Sequence, residues 1–85
     1  MSVADMAAII SRAPESQEDA DWAALGQAVA EMHTPEDGHC RQCGQEWATF
    51  PDFPGCETYL EVRLHLVQII GRRVQKIAAK YWKGT

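Results

Sequence analysis

All three cysteines of this chain, Cys40, Cys43 and Cys56, fall within the segment richest in loop-forming residues. Residues 34–56 also hold Pro35, Gly38, Gly44, Pro51, Pro54 and Gly55. So long a stretch without regular structure is unusual in a small domain, and something must hold it in place. The chain has 85 residues, enough for a single domain over 1–85 with one modest core. Domains of this size often need a metal ion or disulfides to fold. An odd number of cysteines leaves one thiol over in any pure disulfide framework, which turns attention to metal.

Cys40-Arg41-Gln42-Cys43-Gly44 has the form of a zinc knuckle. Two thiolates two residues apart can bind one ion when the backbone turns tightly, and Gly44 can supply a positive φ just after the second. Cys56 lies where a long helix is expected to begin, and a helix N-terminus favours the thiolate form that a metal requires. Three sulfur donors point to zinc over magnesium or calcium, and an iron–sulfur cluster would usually want a fourth cysteine. The fourth ligand must come from His33, His39 or His65. His65 lies nine residues beyond Cys56 on the same expected helix, roughly 13 Å along its axis, too far to share an ion. His39 neighbours Cys40, and adjacent side chains in a turn usually diverge. His33 is favoured, at the inward end of a helix seven residues before the knuckle, with His39 remaining as the alternative. A redox pair at Cys40 and Cys43 would need a strand–helix context that is not evident, and Gly44 excludes a haem-attachment motif. Cys56 as a plain buried thiol and His33 as a core histidine are the competing structural readings.

The rest of the chain reads as helical, so the expected fold is all-α: two N-terminal helices over 1–33, the knuckle segment over 34–56, and one long helix over 57–82. Ser2 with Asp5, and Ser16 with Asp19, have capping-box spacing. Val3, Met6, Ala7 and Ile10 share one face of the first helix. Trp22, Leu25, Val29 and Met32 form an apolar stripe on the second, which Thr34-Pro35 stops. On the long helix a broad apolar arc runs through Leu60, Leu64, Val67, Val74, Ile77, Tyr81 and Trp82, with Leu66 and Ile70 included. Val62 and Ile69 break the pattern by falling on the otherwise polar side. Arg63 lies within the arc and calls for a carboxylate partner.

Charge is divided unevenly. Residues 1–56 carry ten acids and two bases, whereas residues 57–85 carry two acids and six bases. The halves can attract each other, or the basic end can face an acidic partner. The N-terminus lacks the positive region of a secretory signal, and no apolar run approaches the roughly 18 residues of a membrane span, so a reducing cytoplasm is the expected compartment. A catalytic zinc needs an open position and a general base. Four protein ligands would leave no open position, and the His-x-Glu of zinc deaminases is absent, so no enzymatic activity is expected.

The run from Trp22 to Gly26 and Ala30 to His33, followed by His39-Cys40-x-x-Cys43-Gly44-Gln45-x-Trp47, resembles small proteins of actinobacteria and their phages. In those a helix ends in His-x-Pro, followed by Cys-x-x-Cys-Gly, a tryptophan and a third cysteine. His33, Cys40, Cys43 and Cys56 match that pattern one by one, while Ala48 to Gly55 are inserted before the last cysteine. The resemblance covers about residues 20–57 and implies metal binding. Two functions are then expected to compete. In the first, a non-enzymatic interaction or regulatory module, such as a phage protein binding a host factor, presents the long helix, including Tyr81 and Trp82, to a protein partner or a second copy. In the second, Arg72, Arg73, Lys76, Lys80 and Lys83 form a basic face for nucleic acid.

Overall fold

A computed structural model describes residues 2–49 and 54–81 of the chain. The described residues form three helices and one very short hairpin: α1 Val3–Arg12, α2 Gln17–Met32, β1 Pro35–Glu36, β2 His39–Cys40 and α3 Glu57–Tyr81. The mainly helical reading holds. Trp82 and Lys83 lie outside the described residues.

Capping sets the two N-terminal helices. At α1, Ser2 and Asp5 make both reciprocal contacts of a capping box. At α2 only half of the box forms: the Ser16 hydroxyl accepts from the Asp19 N–H at 3.1 Å. The Asp19 carboxylate turns instead toward Arg72 and Arg73 of α3.

The core is a three-helix junction of Val3, Met6, Ala7 and Ile10 from α1, Ala23 and Val29 from α2, and Val62, Leu66 and Ile69 from α3. Its centre is Gly26, where an added Cβ would meet Leu66 Cδ1 at 2.8 Å and Ala7 Cβ at 3.3 Å. Small residues let the helices approach closely at that point. This geometry corrects the expected stripe on α2. Of that stripe Val29 is buried and Trp22 is half-buried against the core, but Leu25 and Met32 point outward, and Asp19, Ala23 and Gly26 are the other buried residues of the helix. A close three-way junction selects the small side of α2 over its bulky side.

The same correction applies more strongly to α3. Val62 and Ile69, which seemed misplaced on the polar side, are its buried residues together with Leu66. Leu64, Val67, Val74, Ile77 and Tyr81, from the broad apolar arc, are exposed. The helix therefore packs by its narrow apolar stripe and leaves its wide one uncovered by the described residues. Arg63 is half-buried and is not without a partner.

Part of the uneven charge of the two halves is paired within the fold. Lys76 Nζ donates to Glu15 Oε2 at 2.6 Å. Arg73 lies between Glu15, at 3.3 Å, and Asp19, at 3.7 Å, and Arg72 approaches Asp19 at 3.8 Å. The hydrogen bond from Lys76 holds the Glu15 carboxyl below the usual carboxylate range, helped by the positive charge of Arg73 and Arg72. The basic side of α3 is thus anchored on the α1–α2 corner, and no helix among the described residues is long and apolar enough to cross a membrane.

Candidate metal centre

His33 follows the last turn of α2 as its C-cap. Its backbone leaves helical geometry at φ −94°, ψ 90°, and its N–H still bonds to Val29 O. This exit turns the imidazole away from the helix and toward the hairpin. The knuckle segment, expected to be irregular, in fact begins with a tight hairpin, Pro35 pairing with Cys40 and Glu36 with His39. Asp37 and Gly38 make its two-residue turn with φ of 52° and 79°. Asp-Gly between paired residues is the usual signal for a turn with positive φ at both positions; that dipeptide was the readable clue to this strand pair.

Beyond the hairpin the chain makes the knuckle turn. The Gly44 N–H donates to Cys40 O at 2.9 Å, the Cys40 N–H donates to Gln45 O at 2.7 Å, and Gly44 takes a φ of 75° as its position after Cys43 suggested. The Arg41 N–H donates to Thr34 O, tying the knuckle to the segment that leaves His33. Ala48 and Gly55 then exchange both backbone hydrogen bonds, at 2.9 and 3.1 Å. The extra residues between Trp47 and Cys56 are closed off at their base, so the inserted segment does not carry Cys56 away from the knuckle. Trp47 packs on Tyr59 of α3, and Gln45 Nε2 donates to Glu57 in the first turn of the same helix.

These connections bring His33, Cys40, Cys43 and Cys56 together, with one ligand atom from each lying within 4.8 Å of all the others. His33 Nδ1 is 3.3 Å from Cys40 Sγ and 3.4 Å from Cys56 Sγ. Donors bound to one tetrahedral ion through sulfur and imidazole nitrogen would be about 3.6 Å apart, given bond lengths near 2.3 and 2.05 Å. The four residues can therefore hold a metal ion. The other two histidines are engaged elsewhere. His39 is exposed with Nδ1 3.1 Å from the backbone O of Asp37, and His65 stacks on Trp22 with ring centroids 4.0 Å apart.

The sulfurs differ in their surroundings. Burial works against a charge on Cys40, but backbone N–H groups of Cys43 and Gln42 and the neighbouring thiols bring it down to about 6. Burial pushes Cys56 up to about 11, with the adjacent Cys40 and Cys43 adding to the rise, although the Tyr59 N–H favours its thiolate. That N–H donates to Cys56 Sγ at 3.4 Å, which makes the sulfur an N-terminal cap of α3. Three sulfurs this close cannot all be anionic cheaply without a cation among them.

The remaining sequence candidates lie away from this centre. Arg72, Arg73 and Lys76 face Glu15 and Asp19, and Tyr81 is exposed at the far end of α3 with Lys80 beside it. No family model, curated protein or solved structure matches the chain.

Proposed function

We propose that this chain is a non-enzymatic, zinc-braced interaction module that presents α3 to a protein partner. The observation that carries the reading is the double-sided α3: one narrow apolar stripe fills the core while a wider one is left exposed. An apolar face of this extent on a small protein marks a binding surface.

Zinc is the ion that best suits three thiolates and one imidazole nitrogen. It accepts soft and borderline donors in a tetrahedral set and has no redox chemistry of its own. His33, Cys40, Cys43 and Cys56 would fill that set, so the ion would serve as a brace between the end of α2, the knuckle and the start of α3. With all four positions taken by protein, no site is left for a substrate or an activated water, which supports a structural role. A reducing cytoplasm suits a site of this kind, because oxidation would remove its ligands. The resemblance to small actinobacterial and phage proteins supports the same metal-binding reading, and a host regulatory factor is the kind of partner it suggests.

Nucleic-acid binding is the weaker reading. Arg72, Arg73 and Lys76 are engaged by Glu15 and Asp19, which leaves less cationic surface for phosphates than the sequence alone suggested. Affinity capture with the zinc-loaded chain tests the choice. Capture of a specific protein that survives Arg72→Gln/Lys80→Gln but is lost with Leu64→Glu supports the interaction module. Steeply salt-dependent DNA binding that survives Leu64→Glu and is lost with Arg72→Gln/Lys80→Gln would replace it.

A further inference from the structure

The four donors of the metal centre are unequally shielded. Cys40 and Cys56 are buried, at 2% and 0% exposure, and His33 is half-buried, whereas Cys43 is exposed. Cys43 sits at the outer corner of the knuckle turn. An added Cβ on Gly44, its neighbour, would meet nothing within 4 Å, so the space beside Cys43 is open. Gln45 Oε1 is 3.6 Å from its Sγ and leaves the outer side of the sulfur uncovered. A dissolved electrophile or oxidant therefore meets Cys43 before either of the other sulfurs, and accessible thiolates are the ones oxidised first.

The second relationship is between Cys43 and Cys40. Their Sγ atoms lie within 4.8 Å of each other. They share one turn, closed by backbone alone: the Gly44 N–H donates to Cys40 O at 2.9 Å and the Cys40 N–H donates to Gln45 O at 2.7 Å. That turn keeps the two sulfurs within reach when no metal joins them, as a disulfide requires. Cys56 stands apart on the entry to α3, where its Sγ accepts from the Tyr59 N–H at 3.4 Å. Its approach to Cys43 depends on how the knuckle and the helix are held together, not on one local turn.

Resting on the zinc-brace reading, we propose that Cys43 is an oxidation site for hydroperoxides, with Cys40 as its resolving partner, and that their disulfide ejects the zinc. The Cys43 thiolate attacks the terminal peroxide oxygen. An S–O bond forms, the O–O bond breaks, and the alkoxide or hydroxide that leaves takes a proton from water. The Cys40 thiolate then attacks the Cys43 sulfur; the S–S bond forms, the S–O bond breaks, and hydroxide departs to become water. The sulfurs are oxidised, the peroxide is reduced, and zinc leaves with its charge unchanged. His33 and Cys56 remain as a pair of donors, too few to retain the ion. The brace between the knuckle and the α2–α3 junction opens, and a thiol reductant with fresh zinc closes it again.

Titration of the zinc-loaded full chain with hydrogen peroxide tests the proposal. A chromogenic chelator reads released zinc, alkylation with peptide mass mapping locates the remaining thiols, and dimedone in a parallel arm traps the sulfenic acid. Zinc release is expected to track the loss of two thiols per chain, with Cys40 joined to Cys43 and Cys56 still alkylated. Dimedone is expected on Cys43, and dithiothreitol with added zinc should restore full loading. Dimedone on Cys40 or Cys56 ahead of Cys43, or a disulfide that includes Cys56, overturns the assignment. So does a chain that keeps its zinc and all three thiols under peroxide that fully oxidises free cysteine in the same tube, and that result leaves the zinc brace standing. A chain that carries no zinc before peroxide is added defeats the brace and this inference together.

Discussion

Cys56 and His33 are separated by 23 positions in the chain, yet Cys56 Sγ lies 3.4 Å from His33 Nδ1. The contact joins the exit of α2 to the entry of α3, and Cys40, 3.3 Å from the same nitrogen, brings the hairpin to that junction. The exit of α2, the hairpin and the entry of α3 therefore meet at one group of donors.

The choice of imidazole follows directly. His33→Ala removes a ligand, and the chain is expected to lose bound zinc by native mass spectrometry, together with order in the hairpin and the knuckle turn. His39→Ala removes an exposed ring whose Nδ1 lies near only the Asp37 carbonyl, and zinc stoichiometry is expected to stay at one per chain. The reverse result would move the site to His39.

Loading should release protons. In the metal-free protein at neutral pH, Cys56, pushed up to about 11, carries its proton, whereas Cys40, near 6, is already a thiolate. Binding zinc at pH 7 expels at least the Cys56 proton. Affinity should then fall as pH falls, by about 1.4 kcal/mol per pH unit for each proton released. Below about 6 Cys40 also holds a proton that must leave, and the slope steepens. Calorimetry in buffers of different ionisation enthalpy reads the proton count, and a count of zero at pH 7 would contradict the assignment.

Two leucines on α3 separate its faces. Leu66 is fully buried and Leu64 is largely exposed. Leu66→Ala is expected to destabilise the zinc-loaded chain by about 2–5 kcal/mol, against within about 0.5 kcal/mol for Leu64→Ala. Denaturant melts compare the two, and equal losses would mean that the core-facing side of α3 has been misassigned.

These leucines also show what was legible in the sequence. The capping serines, the lengths of the helices and the Cys-x-x-Cys-Gly turn are local chemistry, and short patterns announce them. The ligand set could be narrowed because His65 was out of reach along a rigid helix and His39, next to Cys40 in a turn, was expected to point away from it. The inward face of α3 was hidden for a different reason. Periodicity reveals that a helix has apolar faces, but which one packs inward depends on partner helices. Here the small residues Ala23, Gly26 and Ala7 accept Val62, Leu66 and Ile69 in preference to the bulkier arc. The Arg73 carboxylate partners were equally nonlocal, because Glu15 and Asp19 reach it only once α1 and α2 have turned their corner against α3.

That corner gives a contrast between pairs. The Lys76–Glu15 contact is largely solvent-facing, and Lys76→Met is expected to cost at most about 1 kcal/mol. Asp19 is buried against Arg73, whose side chain is only 17% exposed, so Asp19→Ala removes one of the two carboxylates that face a shielded cation and leaves it Glu15 alone. It should cost more than Lys76→Met in the same melt. The Glu15 contribution has its own pH sign. With its folded value lowered, it is fully present above the ordinary carboxylate range and is lost as pH falls through the lowered value. A Glu15→Gln chain should therefore lose less stability on acidification than the parent.

Native mass spectrometry of the chain before and after chelation, followed by circular dichroism of both states, tests the zinc brace most directly. One zinc per chain is predicted, with the loop, the hairpin and the α2–α3 junction melting when it is removed, because structural zinc supplies on the order of 10 kcal/mol to small domains. A chain purified under reducing conditions that carries no metal, keeps three free thiols and retains its full structure would contradict the account.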